Sequence, residues 1–178
     1  AKSPAWVPLL EKDPSKGTQL LQELIGDSSF HVRSASTKSP AWVPLLEKDP
    51  SKGIELFQEL IGDRWFRTEG ATSPAWVPLL EKDPSKGTQL FQKLLGDPDN
   101  VVRSASAKSP AWVPLLEKDP SKGTELFQKL IGDPDRWVRA DSAGSPAWVP
   151  LLEKDPSKGT QLFQKLIGDP DNGVRSAS

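Results

Sequence analysis

Fifteen residues, Ser3–Gly17, recur without a single change beginning at Ser39, Ser73, Ser109 and Ser145. The five starts lie 36, 34, 36 and 36 residues apart. Self-similarity at that period marks a stack of like supersecondary units rather than one globular core, because no unit can hide its apolar face alone. The chain therefore reads as a single repeat array over residues 1–178, with units 1–36, 37–72, 73–106, 107–142 and 143–178. Arrays of this kind present extended surfaces to other molecules, so the pattern points to recognition without naming what is recognised.

Composition narrows the class of partner. With 178 residues, 35% hydrophobic and 26% charged, the chain can bury a core and does not read as disordered. Most of its 18 prolines recur at fixed positions, where they start and stop helices. Charge is nearly balanced, 23 basic against 24 acidic residues, and Glu117-Lys118-Asp119 with nearby Lys122 mixes signs over one turn. No basic face for nucleic acid is visible. Apolar runs are only a few residues long and the first residues lack the order of a signal peptide, so a soluble protein without a membrane partner is expected, its compartment left open. The absence of cysteine removes disulfides, thiolate nucleophiles and the usual structural zinc sites, and favours the cytoplasm. A chain that opens at Ala1 and lacks Met is expected to be a piece of something longer.

Within a unit, three segments each open on Ser-Pro or Asp-Pro, a capping residue followed by the residue preferred at the first helical position. The first helix is predicted over about Pro110–Lys118, with Trp112, Val113, Leu115 and Leu116 spaced as a buried stripe. Pro114 falls inside it, so the helix should begin as a tighter turn or bend there. The second starts at Asp119-Pro120, carries Leu126, Phe127, Leu130 and Ile131, and ends at Gly132, which suits a left-handed cap. The third opens at Asp97-Pro98 or Asp133-Pro134 and is short and small-sided. The second unit lacks that Pro-Asp pair between Asp63 and Arg64 and should turn more tightly. Trp6, Trp42, Trp76, Trp112 and Trp148 share one register and are expected to be core anchors, since identical rings suit identical packing holes.

An Asp followed five and six positions later by Val-Arg, as in Asp97 with Val102 and Arg103, recurs at Asp27, Asp133 and Asp169. The second unit departs from it with Asp63 and Phe66-Arg67. This short pattern resembles the HEAT and armadillo class of α-solenoids, and the proline-started helices are also similar to leucine-rich-variant repeats. The resemblance implies an all-α, right-handed solenoid of five units of about three helices, a ladder of Asp and Arg bridging turns, and partner binding along one face.

Five copies in one chain also show where the units differ. The residue before the Val or Phe of the third helix is His31, Trp65, Val101, Trp137 and Gly173 in turn. No shared core pocket accepts both Gly and Trp, so these positions should face outward. Four residues on stand Ala35, Glu69, Ala105, Asp141 and Ala177, and seven on stand Lys38, Thr72, Lys108 and Gly144, all on one helical face. The residue before the first set varies too: Phe30, Arg64, Asn100, Arg136 and Asn172. Stacked in register these form a variable stripe rich in Trp, Arg and acidic groups, the residue types suited to a protein or peptide interface. Surface positions of duplicated units can also drift. Against drift, the equivalents of exposed Glu117, Lys118, Ser121 and Lys122 are identical throughout, although recent duplication would also produce that sameness.

No residue stands out for catalysis. His31 is the sole histidine, without a second ligand for a metal or a glycine-rich phosphate loop, and Glu117 and Asp119 repeat in every unit beside lysines. A non-catalytic recognition array needing no cofactor or metal is the leading expectation. The alternative is a structural or self-assembling repeat element, a designed or consensus scaffold included, that stacks head to tail.

Overall fold

A computed structural model describes residues 2–178, and every regular element among them is helical. The first unit holds α1 (Trp6–Lys12), α2 (Pro14–Ile25) and α3 (Phe30–Thr37), the second α4 (Trp42–Lys48), α5 (Pro50–Gly62) and α6 (Arg67–Ala71). Then follow α7 (Trp76–Lys82), α8 (Pro84–Leu95) and α9 (Asn100–Ala107), α10 (Trp112–Lys118), α11 (Pro120–Ile131) and α12 (Arg136–Ala143), and α13 (Trp148–Lys154), α14 (Pro156–Ile167) and α15 (Asn172–Ala177). The chain divides into two compact parts, residues 1–87 and 88–178. In the first, α1 packs on α4, α4 on α7, α2 on α5 and α3 on α6. In the second, α10 packs on α13, α11 on α14, and α12 between α9 and α15. Like helix therefore stacks on like helix, the all-α solenoid packing that the period of the sequence predicts.

The first helix of each unit begins at its Trp, not at the preceding Ser-Pro. In the fourth unit Trp112 N–H donates to the Ser109 carbonyl at 3.5 Å and Ser109 Oγ accepts from Ala111 N–H at 3.2 Å. Ser109-Pro110-Ala111 is thus a tight turn ahead of α10. Pro114 becomes the third helical residue, inside the first turn, where a backbone N–H has no intrahelical acceptor to lose. Of the two outcomes open for this proline, the tighter turn is the one adopted.

The second helices are capped as their sequence indicates. Asp13, Asp49, Asp119 and Asp155 each accept the backbone N–H three residues on at 2.9, 3.0, 2.9 and 2.9 Å, with Pro at the first helical position. Their C-termini differ from expectation. Gly132 has φ −98° and ψ 10°, and no described glycine has positive φ. Its N–H bonds the Gln128 and Lys129 carbonyls at 3.2 Å each, and Asp133 N–H reaches the Leu130 carbonyl at 3.1 Å, so the end tightens without a left-handed residue.

The third helices also start later than the Asp-Pro signal suggests. Asp97 Oδ1 takes Asp99 N–H at 2.9 Å, and Asp99 then caps α9 by accepting from Val101 N–H at 2.9 Å. In the second unit, which lacks the Pro-Asp pair, α6 has no side-chain cap, and Asp63 braces the turn before it. Its Oδ1 accepts from Trp65 N–H at 3.0 Å and its carbonyl from Phe66 N–H at 3.0 Å. Residues 64–66 become a tight turn, and α6 shortens to five residues.

The core is an edge-to-face aromatic succession. In residues 1–87, Phe57 lies 5.3 Å from Trp42 and 5.0 Å from Trp76, centroid to centroid. In residues 88–178, Phe91, Trp112, Phe127, Trp148 and Phe163 follow one another at 5.0, 5.2, 4.9 and 5.3 Å. Such pairs contribute about 0.5–1.5 kcal/mol each beyond area burial. Trp42, Trp76 and Trp112 are fully buried, and each indole N–H is satisfied, as by Trp112 Nε1 to the Ser106 carbonyl at 2.9 Å. The expected anchoring role of this register is met.

Candidate functional site

The helices α9, α12 and α15 each start on a capping Asp, so the two residues after the cap are carried on the first turn, whereas α3 follows Ser29 and α6 follows Phe66 without a side-chain cap. His31, Trp65, Val101, Trp137 and Gly173 are all exposed, as the exchange of Gly for Trp requires. Trp65 and Trp137 are 60% and 62% exposed. Each has its preceding arginine folded over it: the guanidinium carbon of Arg64 lies 4.4 Å from the Trp65 ring centroid and that of Arg136 4.9 Å from Trp137. This cation–π stacking holds a large flat ring in one orientation while leaving much of its surface in water. Arg136 and Trp137 open α12. Arg64 and Trp65 do not lie on a helix, because the shortened connection puts them in the turn before α6.

Other stripe residues are spent on tying one unit to the next. Phe30 stacks on Phe66 at 5.2 Å and 29°, Arg33 sits 5.2 Å from the same ring, and His31 meets Phe30 edge-on at 5.9 Å. Asn100 Nδ2 donates to Asp135 Oδ2 at 2.6 Å. That bond holds the Asp135 carboxyl below the usual carboxylate range. Asp141 accepts from Ser104 Oγ and pairs with Lys108 Nζ at 2.6 Å, so it is half-buried and engaged. Glu69 stands at the equivalent place in α6, and its Oε2 is buried without a hydrogen-bond partner. Arg136 reaches Asp171 Oδ2 at 3.4 Å, an exposed and weak pair. Asn172 is exposed on the first turn of α15.

The Asp–Arg ladder is present in residues 88–178. Arg103 Nε and Nη2 grip Asp133 at 2.7 and 3.0 Å, while Nη1 donates to the Asp97 and Pro98 carbonyls at 2.8 and 3.2 Å. Arg139 does the same with Asp169 at 2.7 and 3.1 Å and with the Asp133 and Pro134 carbonyls at 2.8 and 3.1 Å. Each arginine closes its own loop and holds the aspartate of the following unit in a two-point fork. The Arg139 guanidinium lowers the Asp169 pKa from its ordinary value, and each carboxylate raises its arginine.

One feature lies outside the variable stripe. In residues 1–87 a groove of about 470 Å³ runs between α1 and α4, lined by Val7, Glu11, Pro40, Val43, Glu47 and Pro74. The spacing expects Val113 and its equivalents in the buried stripe of the first helix; instead Val7, Val43 and Val113 are 39%, 37% and 38% exposed, because only Trp, Leu and Leu of that stripe face the core. Among the described residues no cluster of three or more His, Cys, Asp or Glu could hold a metal ion, and no helix is long and apolar enough to cross a membrane. Compared with protein-family models and with curated proteins, the chain matches none.

Proposed function

We propose that the chain is a non-catalytic scaffold of HEAT- or armadillo-like character that recognises a protein or peptide through the arginine-stacked tryptophans Trp65 and Trp137. The carrying observation is that two large aromatic rings, 60% and 62% exposed, are held in place by Arg64 and Arg136 on an otherwise repetitive frame. Exposed Trp and Arg supply most of the binding energy where proteins meet, and a ring fixed beforehand loses little entropy on contact. A peptide or protein fits this chemistry better than nucleic acid, since 23 basic residues are offset by 24 acidic ones.

Of the remaining stripe residues, His31 and Glu69 are assigned to the contact surface within residues 1–87, and Val101 and Asn172 to that within residues 88–178. Phe30, Asn100 and Asp141 act mainly by holding the units that carry it. The reading is tested by panning a random-peptide display library on the chain and on a variant with Trp65→Ala and Trp137→Ala. Peptides selected on the parent chain should bind the variant at least about tenfold more weakly, with helicity by circular dichroism unchanged. Equal binding to both would remove the proposal.

A further inference from the structure

One rung of the Asp–Arg ladder is open inside residues 1–87, at the joint of α3 and α6. Arg33 is held as Arg103 and Arg139 are: its Nη1 donates to the Asp27 and Ser28 carbonyls at 2.5 and 3.1 Å, which fixes the guanidinium against its own loop. Arg103 and Arg139 then spend Nε and Nη2 on the aspartate 30 residues further on, Asp133 and Asp169. Asp63 holds that register for Arg33, yet among the described residues no carboxylate pairs with Arg33. The shortened connection of the second unit places the buried Phe66 ring there instead, with the Arg33 guanidinium carbon 5.2 Å from its centroid. Asp63 Oδ1 is taken by Trp65 N–H at 3.0 Å, and Glu69 Oε2, on the same facing segment, is buried. Arg33 is half-buried, so its two remaining donors are neither sealed in the core nor fully in water. Trp65 precedes Phe66 in the same turn, and Arg64, stacked on the Trp65 ring, has no carboxylate partner among the described residues either.

We propose that the open fork of Arg33 is a carboxylate-binding site, and that a peptide held by Trp65 carries an Asp or Glu side chain into it. The inference rests on the reading of Trp65 as a contact ring and names the chemistry of what that ring receives. The occupant is argued from charge complementarity. A guanidinium with one arm anchored and Nε and Nη2 free presents two parallel donors, which a carboxylate matches at two points. The same fork on α9 and on α12 holds a carboxylate in that way, at 2.7 and 3.0 Å and at 2.7 and 3.1 Å. Partial burial strengthens such a pair over one formed in open water. The exposed face of Trp65 receives the apolar part of the same peptide, and Arg64 adds positive charge beside it.

Panning a random-peptide display library on the intact chain, and titrating each selected peptide against single variants, tests it. Peptides that lose at least about tenfold on Trp65→Ala should carry an Asp or Glu and lose at least about tenfold on Arg33→Gln. Changing that acid to its amide should cost a similar factor on the parent chain and nothing further on Arg33→Gln. A second variant keeps Arg33 and Trp65 but inserts Pro-Asp after Asp63, restoring the connection of the fourth unit so that Asp63 fills the fork. It should lose the preference for the acid over the amide. Circular dichroism checks that the helices of each variant are intact. Trp65-dependent peptides that lack an acid, or that bind Arg33→Gln as tightly as the parent chain, overturn this inference and leave the ring as a contact. The absence of any Trp65-dependent peptide overturns both. Free succinate that displaces the peptides at equal concentration would make the fork a small-anion site and overturn the peptide assignment.

Discussion

Seven tryptophans divide by their neighbours into two kinds. Trp112 is fully buried, lies edge-to-face between Phe91 and Phe127, and gives its indole N–H to Ser106. Trp137 touches mainly the guanidinium of Arg136 and the water around it. Trp112→Ala should therefore cost about 3–5 kcal/mol through the cavity it leaves. Trp137→Ala should stay within about 0.5 kcal/mol of the parent chain. Urea titrations followed by circular dichroism separate the two outcomes, and comparable losses would mean that the exposed rings support the fold after all. This division was legible in the sequence, since one register holds Trp in every unit while the other accepts Gly, Val, His and Trp. The sequence did not reveal that Phe30, Asn100 and Asp141 are occupied by Phe66, Asp135, Ser104 and Lys108. Those partners lie 33–37 residues away on the facing unit, along directions that spacing does not encode.

At the level of single helices, glycine does two different jobs at Gly123 and Gly132. Gly123 is buried in the first turns of α11, where a Cβ would come within 2.6 Å of Leu116 Cδ2 and 2.9 Å of its Cγ. Close approach of α10 to α11 is the reason for that glycine, so Gly123→Ala should destabilise by about 1–3 kcal/mol through overpacking. Gly132 has an ordinary right-handed backbone, and a Cβ there would meet nothing nearer than the Gln128 carbonyl at 3.5 Å. Gly132→Ala should be neutral or stabilising by up to about 1 kcal/mol, by restricting the unfolded chain. Thermal unfolding of the pair decides it, and a large loss at Gly132 would point to a left-handed cap in solution. Capping by Asp119, like the prolines that start the second helices, could be read directly from neighbouring residues. The end at Gly132 could not, because several backbone geometries satisfy the same orphan carbonyls.

In the molecule as a whole, stability is a sum of unit terms and joint terms, and in residues 88–178 the joints carry titratable rungs. Asp169 is held by the Arg139 fork, and its pKa is lowered from the ordinary carboxylate value. A carboxyl depressed on folding stabilises fully above its unfolded pKa of about 3.9, and that contribution disappears as pH falls through the folded value. The urea midpoint should accordingly decline as pH is lowered from about 5 to 2. Asp169→Asn should start lower and fall less steeply; parallel slopes for the two chains would show that this rung does not govern the acid response. By itself the sequence determined the period, the all-helical class, the capped second helices, the buried tryptophan register and the outward position of Trp65 and Trp137. All of these follow from steric and hydrogen-bonding demands within one unit or from comparing a unit with its copies. Only the tertiary structure decided which variable residues remain available and where the first and third helices begin. Those outcomes depend on what a neighbouring unit places against a side chain, and a side chain's freedom is a property of the packed pair.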